Sequence, residues 1–145
     1  MYKFISTLAL ALAALLGFSA AAQAEALPPI KVVYHVNTDV NTVHAILNNI
    51  RNHLNADPTV KIVVVTHGPG INFLLQDAKD SKGQEFSGAV SDLSSRGVEF
   101  RVCNNTLKSR NISPDRLLME TKIVPSGVAE VARLQAREGY VYMKP

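Results

Sequence analysis

Val60-Lys-Ile-Val-Val-Val-Thr66 is a run of β-branched residues almost unbroken by polar side chains, and it ends at His67-Gly-Pro-Gly70. A strand with one face in water alternates apolar and polar residues. A run that is apolar at nearly every position therefore predicts a strand covered on both faces, as in a parallel sheet. Ile30-Lys-Val-Val-Tyr-His-Val36 upstream is a second run of this kind. Between the two, Val40, Val43, Leu47, Ile50 and Leu54 recur at helical spacing, with Thr38 or Asp39 placed to cap the start and Pro58 beyond the end. Strand, helix and strand make a crossover unit, and such units are right-handed.

Downstream the pattern repeats. Ile71 to Gln76 predicts a short helix, Phe86, Val90 and Leu93 a longer one that stops at Gly97, and Val98 to Val102 a third strand. That strand alternates strictly, with Glu99 and Arg101 on one side, so the charged face is expected to be solvated or, preferably, covered by another subunit. Asn104 to Arg110 fits one or two helical turns, and Ser113-Pro-Asp115 a cap followed by proline at the first helical position. Thr121 to Val124 predicts a brief strand, Pro125-Ser126 the start of a helix carrying Val128, Val131 and Leu134 inward, Gly139 its end, and Tyr140 to Met143 a last strand. The expected fold is α/β, a three-layer α/β/α sandwich around a mostly parallel sheet of about five strands, flavodoxin-like in size.

Of the 145 residues, Met1 to Ala24 read as a secretory signal: one early cation at Lys3, an apolar run through Leu8 to Leu16, and Ala22-Gln-Ala24 as a small-x-small cleavage site. The apolar run is short for a membrane span, so cleavage before Glu25 is expected, leaving residues 25–145 as one domain without a stable membrane anchor and placing it in the periplasm. The formal net charge of +3 comes without any long basic run interleaved with aromatics, so no nucleic-acid partner is expected. Cys103 is the only cysteine, which excludes a disulfide-stapled scaffold and a cysteine-rich zinc site.

In a parallel α/β sheet, ligands gather outside the carboxyl ends of the strands, and Asn37, His67 and Cys103 all fall there. A cysteine just past a strand and at the start of a helix meets backbone amides that favour thiolate over thiol, so Cys103 is the candidate nucleophile, flanked by Asn104. His67 is placed to exchange protons or orient a reactant at the thiol, and Gly68 and Gly70 allow close backbone approach. The Walker lysine and the Gly-x-Gly-x-x-Gly fingerprint are absent, so no nucleotide cofactor is expected. His44 and His53 lie nine residues apart on one helix and face opposite ways, while His35 and His67 make at best a partial metal site, so no metal is expected. The competing reading is a packed or redox-sensing cysteine in a non-catalytic binding or scaffold protein.

Val102-Cys-Asn-Asn-Thr-Leu-Lys108, with Val65-Thr-His-Gly-Pro69, Gly127-Val-Ala-Glu-Val131 and Gln135-Ala-Arg-Glu-Gly-Tyr140, resembles the DsrE/DsrF-like family over nearly the whole mature domain, in its YchN-like, exported branch. The resemblance implies small α/β domains that assemble as homo-oligomers. In the relay members a cysteine after the third strand carries sulfane sulfur as a persulfide, and Cys103 matches that position. The segment after it, Asn104-Asn-Thr-Leu-Lys-Ser-Arg110, departs from the alanine- and arginine-rich helix of those relay proteins. The implied function is an exported small sulfur carrier, with donor and acceptor proteins or small sulfur compounds as partners.

Overall fold

The computed structural model describes residues 27–145, and the expected signal segment lies outside the described residues. Strands β1 (Lys31–Val36), β2 (Lys61–Thr66), β3 (Glu99–Cys103), β4 (Thr121–Val124) and β5 (Val141–Met143) form one sheet in the order β4-β3-β2-β1-β5. Every pairing is parallel. β2 is thus the middle strand, which accounts for the unbroken apolar run that identified it: Ile62 to Thr66 are all buried.

The helices are α1 (Val43–Ala56), α2 (Ser87–Ser95), α3 (Asn104–Ser109) and α4 (Gly127–Glu138). From β1 to β4 each connection steps one strand the same way, so right-handed crossovers put α1, α2 and α3 on one face. The return from β4 to β5 runs the other way, and the same handedness puts α4 on the opposite face. Two separate cores follow. The larger joins Val32, Tyr34, Ile62 and Val64 of the sheet to Leu47 and Ile50 of α1 and Val90 and Leu93 of α2. At its centre Phe73 meets Phe86 and Phe100 edge to face, with ring centroids 6.1 and 6.3 Å apart. The smaller core is Val33, Val63 and Val65 under Val131 and Leu134 of α4.

Local signals explain the element ends. Asp39 caps a single 3-10 turn, Val40–Thr42, by accepting the Asn41 amide at 2.9 Å, and α1 begins only after it. Gly97 and Gly139 end α2 and α4 in the left-handed region, at φ 92° and 72°. Ser113 precedes a 3-10 turn with Pro114 at its first position, as expected. Among the described residues no helix is long and apolar enough to cross a membrane.

Three expectations are corrected. The segment expected as a helix over Ile71 to Gln76 is a 3-10 run over Gly68–Leu74. Gly70 permits this tight path, because a β-carbon there would lie 2.1 Å from the Val36 carbonyl oxygen. Val128 does not face the core but is 59 % exposed, and Glu130 takes an inward position at 8 %. The cause is the charged face of β3. That face is covered by α4 of the same chain rather than by water or another subunit, and Arg101 pairs with both Glu130 and Glu99, while Arg133 reaches Glu130 at 2.8 Å. Inward charge on β3 is thus answered by inward charge on α4, and the helix turns to present it.

Candidate functional site

The connection leaving β3 passes to one face of the sheet and the connection leaving β4 to the other, so a crevice opens between their carboxyl ends. This is the topological switch point of an open α/β sheet, where ligands bind. Cys103 ends β3 there, in register with Val124 of β4, and is the N-cap residue of α3. Gly127 opens α4 on the other side of the crevice. The thiol therefore lies between the first turns of two helices.

Both helices turn donors onto it. Burial alone pushes the Cys103 thiol up, but hydrogen bonds from the Gly127 amide, the Thr106 hydroxyl and the Thr106 and Asn105 amides outweigh that and hold it below its ordinary value. Thr106 is itself held in place, since its Oγ1 accepts the Gly68 amide at 3.0 Å. Arg110, just past the end of α3, reaches Asn72 Oδ1 at 2.8 Å, tying the end of α3 to the segment after β2. Gly68 takes φ 54°, a left-handed conformation that a side chain would strain. Cys103 is only 5 % exposed, so a reagent must enter along the crevice.

Thr66 pairs with Val102, which sets His67 beside Cys103 on the α4 face of the sheet. The His67 ring turns toward β1: its Nε2 lies 2.6 Å from Nε2 of His35, whose Nδ1 lies 2.9 Å from the Tyr142 hydroxyl. Burial and then nearby Lys144 hold His67 below its ordinary value. Burial, then His67, then Lys144 do the same for His35. Among the described residues no group of three or more His, Cys, Asp or Glu side chains is placed to hold a metal.

Of the residues expected at this edge, Cys103, His67 and Gly68 come together. Asn37 follows Val36, the register partner of Thr66, and packs against Gly70; its side chain makes no hydrogen bond among the described residues. Asn104 flanks the thiol as the first residue of α3, but the amides that reach sulfur are those of Asn105 and Thr106. Sequence reasoning missed Thr106, Gly127 and Tyr142; it set His35 and His67 near the ends of neighbouring strands but weighed them only as a partial metal site, whereas their rings meet in a hydrogen bond. The signal for Gly127 was a glycine directly after a serine cap. Thr106 could have been found from its place in the first turn of α3, three residues after Cys103, whereas Tyr142 needed the strand register.

The DsrE/DsrF-like family model matches residues 10–145. No curated protein matches the chain at a significant level. Among solved structures, a protein of unknown function from Methanobacterium thermoautotrophicum, MTH1491, is 36 % identical with a TM-score of 0.73, covering 80 % of this chain and 99 % of that one. The YchN protein of E. coli is 15 % identical with a TM-score of 0.65 over 80 % and 99 % of the two chains. BT1422, a conserved protein of unknown function from Bacteroides thetaiotaomicron, is 14 % identical with a TM-score of 0.59 over 79 % and 94 %. The last two likenesses are of fold. With the family match spanning nearly its whole length, the chain belongs to the DsrE/DsrF-like family, whose members are generally related to sulfur relay.

Proposed function

We propose that this protein is an exported sulfur carrier in which Cys103 accepts sulfane sulfur as a persulfide and passes it on. The observation that carries the reading is the place of Cys103, which ends β3 at the switch point between the first turns of α3 and α4, with Gly127 against its β-carbon and amide and hydroxyl donors that hold the thiol below its ordinary value. The same donors serve the thiolate that attacks and the persulfide anion that results. In loading, Cys103 Sγ attacks the outer sulfur of a hydropersulfide or polysulfide. The donor S–S bond breaks, a new S–S bond forms on Cys103, and the rest of the donor leaves as a thiolate with the bonding pair, so sulfur moves without net oxidation. His67 stands beside the thiol to handle the proton, while Gly68, Asn37 and Asn104 shape the approach along the strand ends.

Export to the periplasm is supported by the signal pattern in Met1 to Ala24. Assembly with further copies is supported by the exposed apolar side chains of Met119, Ile123 and Val128 around the β4 edge. Cyanide-releasable sulfur after polysulfide treatment tests the carrier reading: one sulfur per chain is expected in the wild type and none in Cys103→Ser.

The 5 % exposure of Cys103 favours a second reading, a packed cysteine in a binding or scaffold protein. It predicts full protection of the native thiol from a small alkylating reagent until the protein is denatured, whereas the carrier reading predicts labelling of the native state.

A further inference from the structure

Beside Cys103, on the same face of the sheet, three side chains form one hydrogen-bonded row: His67 Nε2 to His35 Nε2 at 2.6 Å, and His35 Nδ1 to the Tyr142 hydroxyl at 2.9 Å. Only one proton fits between two ring nitrogens that meet in this way, so one Nε2 is an N–H and the other a bare acceptor. Two arrangements satisfy the row. In one, Tyr142 donates to His35 Nδ1 and His35 donates to His67, which leaves a proton on His67 Nδ1. In the other, His67 donates to His35, His35 donates from Nδ1 to the Tyr142 oxygen, and His67 Nδ1 is a bare lone pair.

The surroundings separate the two. A β-carbon on Gly127 would lie 3.2 Å from the His67 Cβ, so His67 rests against the first turn of α4. That turn carries the positive end of the helix dipole, and Nδ1 is the ring nitrogen nearer the His67 β-carbon, so a lone pair there is favoured over a further N–H. His67 Nδ1 has no hydrogen-bond partner among the described residues, and is free to meet one.

We propose that Tyr142 and His35 are positioning residues that hold His67 with its Nδ1 lone pair free, and that His67 is the base which takes the Cys103 thiol proton during sulfur loading. This rests on the carrier reading of Cys103. The proton leaves the thiol for His67 Nδ1 and returns to the departing donor thiolate, so that thiol and hydropersulfide become Cys103 hydropersulfide and donor thiol with every proton accounted for. The depressed basicity of both histidines, from burial and from Lys144, keeps the pair ready as a base at neutral pH. The titratable and charged groups facing the pair are Tyr142 and Lys144 from the C-terminal strand and tail, Cys103 from β3 and, further along the face, Arg101 with Glu130 of α4.

The test measures two rates against pH on the full mature chain: alkylation of Cys103 by iodoacetamide, and loading from inorganic polysulfide. Wild type is compared with His67→Ala, His35→Ala and Tyr142→Phe, each checked for native circular dichroism. The wild-type alkylation profile should show, below the thiol's own step, a second step that vanishes in His67→Ala and shifts in Tyr142→Phe. Loading should slow about 100-fold in His67→Ala and about tenfold in the other two. Folded Tyr142→Phe and His35→Ala proteins with wild-type profiles would overturn the proposal. A wild type with the histidine-dependent alkylation step but no sulfur uptake would sink the carrier reading and leave the proton coupling standing. Uptake with one pH profile in all four proteins would do the reverse.

Discussion

A β-carbon on Gly127 would lie 3.2 Å from the β-carbon of Cys103, so the first turn of α4 closes on Cys103 more tightly than a side chain at position 127 would allow without a shift of a few tenths of an ångström. Gly127→Ala should push the amide donor away from sulfur and let the thiol rise toward its ordinary value. The expected outcome is a folded protein whose Cys103 alkylation midpoint moves to higher pH, read by the pH dependence of labelling. An unchanged midpoint would mean that the Gly127 amide does not set the acidity of the thiol.

Thr106 links two parts of the site, donating its hydroxyl to Cys103 and accepting the Gly68 amide at 3.0 Å. Thr106→Val keeps the shape but removes both bonds. It should lower stability by about 1 kcal/mol through the unmet Gly68 amide, and raise the Cys103 titration midpoint. Thr106→Ser should restore both properties, which chemical denaturation and alkylation together can check.

Hydrogen bonds from Arg133, with others from Arg101, push the Glu130 carboxyl down to about 2 against the cost of its burial. A carboxyl whose folded value lies below its unfolded one adds stability above the unfolded value, near 4.5, and loses it as pH falls toward 2. Glu130→Gln should therefore be less stable than wild type by about 3 kcal/mol at neutral pH, with the gap closing through acid pH. Urea unfolding of both proteins at neutral pH and at about pH 3 measures it.

Phe100 is fully buried on β3 and packs edge to face on Phe73 beneath Phe86, in the larger of the two cores. Phe100→Ala should cost about 3–5 kcal/mol, as for other buried aromatic truncations, and thermal unfolding would show it.

Much of this architecture was legible because single strands and caps carry their own signals. The apolar run over Val60 to Thr66 identified the central strand, and Thr121 to Val124 was legible to the residue. The inward Glu130 was not, because apolar periodicity alone picks out Val128 and ignores a charge whose partner, Arg101, is distant in sequence. Cys103, His67 and Gly68 were legible as residues at strand ends, where α/β sheets bind ligands. The nearness of His35 and His67 was legible from the ends of their two strands, but Tyr142 was not, because it stands opposite Val33 only when β5 returns to the far side of the sheet. The donors on the thiol were half visible: the start of α3 follows Cys103 directly, whereas Gly127 arrives from a helix on the opposite face.

The most direct measurement is the intact mass of the reduced mature protein after exposure to inorganic polysulfide, alongside Cys103→Ser and a reductant wash. A reversible gain of one sulfur in the wild type, absent from the variant, is the predicted result. No gain in natively folded wild-type protein would contradict the carrier account.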